Sequence, residues 1–244
     1  MTTLRIGCAG WAIAHADKGH FPDQGTHLER YATVFQAVEI NSSFYRPHQR
    51  ATYRRWAASV PDGFRFAVKL PRTVTHEHRL VGALPLLDTF LGAAGALGHK
   101  LGVLLVQLPP SLTFDARRAA EFFRAFRARY DGGLCVEPRH ASWFDAAADD
   151  MLLRLRIARV AADPALNAAA AEPGGDKTLC YTRLHGSPRM YYSDYDPVRL
   201  EAVAQRLEAE HARGAATWCI FDNTAAGHAI SNALELCRRT ANRT

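Results

Sequence analysis

Eight apolar runs alternate with helical patterns along this chain, and no other feature limits its possible folds as strongly. Each run is continuous and ends in turn residues, which is typical of strands buried on both faces of a sheet. The runs are residues 4–11, 37–45, 64–71, 101–110, 133–140, 158–164, 178–186 and 216–224. The helical patterns are residues 27–35, 49–60, 84–98, 115–130, 145–157, 196–213 and 225–239. Such alternation predicts a parallel sheet with right-handed crossovers.

Eight strand units in 244 residues predict one α/β domain over residues 1–244, a single (β/α)8 TIM-like barrel. A doubly wound sheet would have fewer strands and a Gly-rich phosphate turn after the first, and residues 7–12 do not match that turn. The sixth unit is expected to be irregular. Pro164, Pro173 and the Gly174–Gly175 pair leave too little room there for a full helix, so we expect a loop.

Composition and patterning predict a soluble, cytoplasmic protein. Apolar residues make up 48% and charged residues 22%, as in globular domains. The longest apolar segment, residues 84–98, is interrupted by Asp88, so no membrane span is expected. The first residues enter a strand pattern without the features of a signal peptide. The five cysteines show no CxxC spacing, which argues against zinc ribbons, disulfide scaffolds and iron–sulfur clusters, and no cofactor is predicted.

The formal net charge of +6 and the pI of about 9.2 suit an anionic partner. A small anionic molecule is the expected partner, and a nucleic acid is the alternative. Most arginines lie on the polar faces of predicted helices, and no Lys/Arg-rich block occurs, which favours a solvated surface. The oligomeric state is not defined by the sequence.

Polar residues gather at the carboxyl ends of several predicted strands. In a barrel these ends meet at one rim, which is where active sites of that fold lie. The candidates taken from these ends are Glu39, Asn41, Tyr45, Lys69, His76, Glu137, Arg139, His140, Arg183, His185, Asp222 and Asn223, with Tyr191 from the loop that follows His185.

Three of these candidates are predicted to be catalytic. Glu39 and Glu137 are proton-transfer groups, and Lys69 is an anion anchor, a general base or a Schiff-base nucleophile. The other ten are predicted to bind substrate, with the planar guanidinium groups of Arg139 and Arg183 suited to carboxylate or phosphate. Ion pairs that only stabilise the barrel are the alternative for Glu39, Lys69, Glu137 and Arg183.

Metal chemistry is a less favoured alternative. His76 and His78 are separated by one residue, and Glu39, Glu137, His140, His185 and Asp222 offer further ligands for a divalent ion. That spacing is common on exposed loops, so no metal ligand is assigned. No GxSxG elbow supports serine hydrolase chemistry.

Six segments carry a resemblance to a known family. They are VEINSSFYRPH (38–48), FAVKLPRTVTHEHRL (66–80), VLLVQLPPSLTF (103–114), VEPRHASWF (136–144), YTRLHGSPRMYYSDY (181–195) and CIFDNTAAGHAISNALEL (219–236). In order and content they resemble the DUF72, or YecE-like, family. The resemblance implies a TIM-like barrel with a pocket at its rim, but no established activity. The chain departs from the commoner pattern at Pro138, which lacks a backbone donor, and at Asp222, where Asn is common.

The sequence therefore predicts an enzyme that uses acid/base chemistry on a small phosphorylated or carboxylated substrate. Its five key residues, Glu39, Lys69, Glu137, Arg139 and Arg183, should surround one pocket, and a closed, solvent-free network would argue against the prediction. Two alternatives remain. One is a nucleic-acid-binding or phosphodiester-processing protein that stacks bases on Phe44, Tyr45, Trp143 and Tyr191, and the other is a non-catalytic ligand sensor.

Overall fold

The computed structural model describes residues 4–241. The strands are β1 (Leu4–Cys8), β2 (Ala37–Ile40), β3 (Arg65–Lys69), β4 (Leu101–Gln107), β5 (Gly133–Glu137), β6 (Ala158–Arg159), β7 (Ala161–Asp163), β8 (Gly174–Gly175), β9 (Leu179–Leu184) and β10 (Ala216–Phe221). The α-helices are α1 (His27–Ala32), α2 (Arg50–Ala58), α3 (Leu84–Ala94), α4 (Ala116–Arg127), α5 (Ala146–Arg154), α6 (Pro197–Ala212) and α7 (His228–Ala241). Each of the eight apolar runs contains at least one strand, and each of the seven helical patterns contains one α-helix.

The strands form two sheets in a mixed α/β fold. One has the order β1-β10-β9-β7 and the other the order β2-β3-β4-β5-β6-β8, and every pairing except β6 with β8 is parallel. The sixth apolar run divides at Val160, so β6 pairs with β5 while β7 pairs with β9. The chain thus passes from one sheet to the other within this run. On the opposite side, a single parallel bridge joins Ala9 to Glu39.

The sixth unit is irregular, as the proline and glycine content predicts. Between β7 and β9 the structure has a 3-10 turn, Ala168–Ala171, and the two-residue strand β8, which pairs antiparallel with β6. Asn167 caps the turn by accepting a hydrogen bond from the backbone N–H of Ala170 at 2.9 Å. This unit therefore has no full helix to cover the carboxyl ends of β6 and β7.

Two apolar clusters stabilise the fold. The larger lies between the strands and the surrounding helices. The smaller contains alternate residues of both sheets, including Ala67, Cys135, Val160, Tyr181 and Ile220. Because successive side chains of a strand point to opposite faces, this smaller cluster defines one common inner face for the two sheets.

Helix α4 illustrates how the outer layer is built. Asp115 caps it by accepting from the N–H of Arg118 at 2.9 Å. Arg117, Arg118 and Arg124 are exposed, whereas Arg127 is half-buried and donates to backbone carbonyls that include Leu155 O. Phe122, Phe123 and Phe126 are buried against the sheet. Each buried phenylalanine contributes about 1.5–3 kcal/mol. Of the helices found within residues 4–241, none has the length and apolar character needed to span a membrane.

Candidate functional site

The polar strand ends continue the inner face of the sheets. Glu39 lies two residues after Ala37, and Lys69, Glu137, Arg183 and Asp222 stand in the same relation to other residues of the inner apolar cluster. The two-residue period of a strand therefore directs all five side chains inward, at the carboxyl ends of their strands. All five are buried. They form a charged layer above the inner apolar cluster.

Arg183 is the centre of that layer. Its Nε donates to Glu39 Oε2 at 3.0 Å, and its Nη2 donates to Glu39 Oε1 at 2.6 Å and to Asp222 Oδ2 at 3.0 Å. Its Nη1 donates to Glu137 Oε2 at 2.7 Å. The side chain is 0% exposed. Because its three nitrogens already bind carboxylates, this geometry does not support the prediction that Arg183 contacts substrate, and it fits the ion-pair alternative.

Glu39 shares this structural role. It is 0% exposed, and both of its oxygens accept from Arg183. Its Oε2 also accepts from the hydroxyl of Tyr181 at 2.9 Å. A carboxylate with both oxygens occupied and no path to solvent is poorly placed to exchange a proton with substrate, so the catalytic prediction for Glu39 gains no support.

His185 lies between two carboxylates. Its Nδ1 is 3.0 Å from Asp222 Oδ2, and its Nε2 is 2.9 Å from Glu137 Oε1. A neutral imidazole has one N–H, so only the imidazolium donates to both partners at once. Arg139 Nη2 lies 2.9 Å from the same Nε2 and 2.5 Å from Glu137 Oε1. Glu137 is thus shared by Arg183, Arg139 and His185.

The cations determine the charge state of the carboxylates. Burial raises the pKa of Glu137, but the guanidinium groups of Arg183 and Arg139 outweigh it and hold that pKa well below its ordinary value. Burial also opposes ionisation of Asp222, and Arg183 and His185 lower its pKa overall. Both groups are therefore carboxylates at neutral pH. An ionised Glu137 positions Arg139 and is not suited to act as a general acid.

Lys69 is the member of the layer with a proton to exchange near neutral pH. Its Nζ lies 4.1 Å from the centre of the Phe44 ring, and no hydrogen-bond acceptor for it is found within residues 4–241. Burial, followed by repulsion from Arg183, lowers the pKa of Lys69 to about 8. Glu39, Glu137 and Asp222 act in the opposite direction, which places the ammonium beside the same charged layer.

A cavity of about 440 Å³ opens beside the charged layer. Of the five residues predicted to surround one pocket, Glu137 and Arg139 line it, whereas Glu39, Lys69 and Arg183 do not. Met190 and Tyr191 line it from the loop after β9. The side chain of Arg139 is 16% exposed, and its buried Nε has no hydrogen-bond partner within residues 4–241. Arg139 thus borders the charged layer, lines the cavity and keeps a buried donor that no residue from 4 to 241 accepts from.

Tyr191 and His76 lie around the edge of the layer. The ring of Tyr191 meets His185 edge to face at 5.8 Å, and Tyr191 has a positive φ of 70°. His76, in the π-helical segment Thr73–Glu77, contacts the Phe44 ring at 4.9 Å. Burial and then Lys69 lower the pKa of His76, so it is neutral near pH 7.

The remaining predicted residues are placed elsewhere. His140 caps the 3-10 turn Ala141–Phe144 through its Nδ1, which accepts from Ser142 N at 3.2 Å. Asn223 is fully buried and donates to Ser193 O and Asn232 Oδ1. Both therefore have structural roles, and the prediction that they bind substrate gains no support. Asn41 lines a separate cavity next to Trp11, and its Oδ1 is buried without a partner within the described chain.

Sequence reasoning missed Tyr181 and Met190. Tyr181 precedes Arg183 by two residues, so the two-residue period of a strand puts it on the same face and could have identified it. Met190 belongs to the loop after β9, and its Sδ lies 3.9 Å from Arg139 Nη1. No strand period extends into that loop, so the sequence carried no signal for this contact.

The geometry also bears on the metal and nucleic-acid alternatives. Within residues 4–241, no group of three or more His, Cys, Asp or Glu residues is arranged to hold a metal ion. His76 Nδ1 pairs with Thr75, whereas His78 Nδ1 faces Val81 O. Of the aromatics proposed to stack on nucleic acid bases, Trp143 and Phe44 are buried, and Trp143 Nε1 donates to Leu112 O at 2.9 Å.

The fold and site define a parallel α/β protein with a charged layer at the carboxyl ends of its strands. Residues 5–244 match the family described as "Protein of unknown function DUF72", and the chain belongs to that family. It is 30% identical to the UPF0759 protein YecE of Escherichia coli over 131 residues, which are 52% of this chain and 47% of YecE. That match thus spans about half of YecE. Against the UPF0759 protein YunF of Bacillus subtilis, identity is 22% and coverage is 96% of this chain and 93% of YunF.

Solved structures support the same fold. A DUF72 family protein from Enterococcus faecalis superposes with a TM-score of 0.82 at 18% identity, covering 98% of this chain and 96% of that protein. A DUF72 family protein from Thermotoga maritima gives a TM-score of 0.79 at 24% identity, with 97% and 98% coverage. At these identities the likeness establishes the shared fold alone.

Proposed function

We propose that this protein is an enzyme that binds a small anionic substrate through Arg139 and moves a proton through Lys69, at the carboxyl ends of its strands. The observation that carries the anion site is that Arg139 lines the 440 Å³ cavity while its buried Nε has no hydrogen-bond partner among residues 4–241. A buried donor left without a hydrogen bond costs about 1–3 kcal/mol, so a ligand oxygen that accepts from it gains that energy.

The same geometry assigns the other charged residues to positioning. Glu137 holds Nη2 of Arg139 in an ion pair, and Arg183 in turn holds Glu137. This network fixes the guanidinium before the substrate arrives, which lowers the cost of ordering it on binding. A phosphate or carboxylate group of the substrate has two oxygens that can accept two parallel hydrogen bonds from the planar guanidinium.

Lys69 is the group best suited to proton transfer. With a pKa of about 8 it holds comparable amounts of ammonium and free amine in slightly alkaline solution, and catalytic groups work best when their pKa lies near the operating pH. Its neutral form is a general base, and its charged form attracts an anion to the same layer. Glu137 and Glu39, whose oxygens are held by arginines, are not part of this step.

The two sheets would then be the halves of one closed (β/α)8-like barrel. In support, the sixth apolar run pairs with both sheets, and the Ala9–Glu39 bridge lies where the two sheets meet again. Residues from both sheets also share the inner apolar cluster. Closure would place the charged layer at the barrel mouth, where active sites of this fold lie.

Anion binding is tested by thermal melts with inorganic phosphate, phosphate monoesters and small carboxylates. A ligand that binds only the folded state raises the melting temperature. We expect a rise for the wild type that is lost in Arg139→Gln and kept in Arg117→Gln, since Arg117 is exposed on α4. An equal rise in both variants would mean that the anion binds elsewhere and would reject this site.

Turnover separates an enzyme from a ligand sensor. Each compound that stabilises the protein is incubated with it, and products are followed by NMR at several pH values. We expect activity to increase through pH about 8 as Lys69 loses its proton, and Lys69→Met to be inactive while still binding the compound. If compounds bind but none is converted to product, the protein is a ligand sensor and the catalytic proposal is refuted.

A further inference from the structure

A second cavity, of about 300 Å³, lies next to Phe44. It is bounded by the segments that follow β2 and β3 and by helices α2 and α3. We call it the apolar cleft and define it by Phe44, Tyr45, Tyr53, Pro71, Leu86 and Phe90. It shares no lining residue with the cavity beside Arg139. Its chemistry is therefore independent of the anion site proposed above.

The walls of the apolar cleft are mostly aromatic. Tyr53 and Phe90 are buried, whereas Tyr45 is 70% exposed at the edge of the cleft. The rings of Phe44 and Tyr45 meet at 5.0 Å with an interplanar angle of 88°. Aromatic rings prefer such edge-to-face contacts, so another ring entering the cleft gains more than apolar burial alone.

Three charged side chains line the apolar cleft. Arg46, Arg72 and Glu77 line it, and Arg72 Nε pairs with Glu77 Oε1 at 3.1 Å. Arg46 is exposed and forms no ion pair with any residue from 4 to 241. One arginine charge thus remains uncompensated beside an apolar space, which complements a ligand with one negative charge.

We propose that the apolar cleft binds a small aromatic carboxylate, with its ring against Phe44 and Phe90 and its carboxylate toward Arg46. A volume of about 300 Å³ lies at the lower end of the range for small-molecule sites, which suits a single ring with a short substituent. Because Phe44 also carries the ammonium of Lys69 on its ring, this ligand would contact the same side chain that borders the charged layer.

Calorimetric titration with benzoate tests the proposal, and benzyl alcohol is the neutral control of the same shape. We expect benzoate to bind up to about fivefold more tightly than benzyl alcohol, in line with the contribution of one exposed charge pair. Arg46→Gln should remove that preference. Arg54→Gln, at an exposed position of α2 outside the cleft, should keep it.

A variant that fills the cleft tests the location. Ala93→Trp places an indole in the cleft and should weaken benzoate binding about tenfold or more, since overpacked space no longer admits a ring. Ala147→Trp, exposed on α5, should leave benzoate binding unchanged. If circular dichroism shows that Ala93→Trp is unfolded, Thr89→Trp replaces it, because Thr89 is an exposed lining residue. Absence of benzoate binding, equal affinity for benzyl alcohol, or undiminished binding by the filled variant would each overturn the proposal.

Discussion

Lys69 buries an ammonium group against the ring of Phe44, and this burial has a thermodynamic consequence. The folded pKa of about 8 lies below the ordinary value of 10.5, so the unfolded chain binds more protons between these two pH values. The free energy of unfolding therefore rises with pH across that window, by up to about 3 kcal/mol. The penalty is fully present below pH 8.

Lys69→Met should remove this dependence. The variant has no ammonium to bury, so its stability at pH 7 should equal or exceed that of the wild type, and the difference should shrink toward pH 10. Chemical denaturation at both pH values measures it, with Lys177→Met, at an exposed lysine, as the control. A wild type and Lys69→Met that change in parallel from pH 7 to pH 10 would contradict the lowered pKa.

Glu137 provides the second prediction at this scale. Glu137→Gln leaves the buried Arg183 and the partly exposed Arg139 beside a neutral amide, and breaking the buried pair with Arg183 costs about 3–5 kcal/mol. Because the folded pKa of Glu137 is depressed, its contribution is present above the ordinary carboxyl pKa and is lost as pH falls through the folded value. Thermal melts of Glu137→Gln and of the exposed control Glu121→Gln measure the effect. An unchanged melting temperature would show that the ion pairs contribute little stability.

The inward direction of these residues could be predicted from sequence, and their pairing could not. Glu39, Glu137 and Arg183 continue the two-residue period of their strands, which places them on one face. That Arg183 uses its nitrogens on carboxylates from three other strands depends on distances across two sheets. No local pattern encodes those distances, so the sequence left a ligand contact and an ion pair equally open.

Among the elements, the long apolar runs were predictable because strands buried on both faces have few alternatives. The division of the sixth run at Val160 was not, since no glycine or proline marks the break. The two-residue strand β8 is too short to show a periodic pattern. Its two glycines are required by the close approach of neighbouring atoms. A Cβ on Gly174 would lie 2.2 Å from the guanidinium of Arg159, and one on Gly175 would lie 2.4 Å from Ile157 O.

The approach of β1 to β2 gives a prediction for a whole element. A Cβ on Gly7 would lie 2.1 Å from the backbone oxygen of Ala37, which also accepts from the Tyr31 hydroxyl at 3.0 Å. Gly7→Ala should therefore separate the two strands and cost about 1–3 kcal/mol. Gly92→Ala, in α3 with no atom within 4 Å, should instead stabilise by about 0.4–1 kcal/mol. Urea denaturation compares the two, and a neutral Gly7→Ala would mean that β1 and β2 are not in close contact.

For the whole molecule, the central question is whether two sheets fold as one unit. Residues from both contribute to the inner apolar cluster, and the larger cluster also extends over strands of both. Removing either sheet would expose the inner face of the other, so neither has a complete core alone. The two halves should therefore unfold together.

Two tryptophans report on the two sheets separately. Trp218 lies on β10 and stacks on Tyr181, whereas Trp143 follows β5 and packs on Phe114 and Phe123. The chain has four tryptophans, so each variant keeps either Trp218 or Trp143 and has the other three replaced by Phe. Fluorescence unfolding in guanidinium should then give the same midpoint as far-UV circular dichroism, as expected of one cooperative unit. Each variant is compared with its own circular dichroism curve, so a general loss of stability from the substitutions does not affect the result. Separate midpoints for Trp218 and Trp143 would mean that each sheet has its own core, and the closed barrel would have to be abandoned.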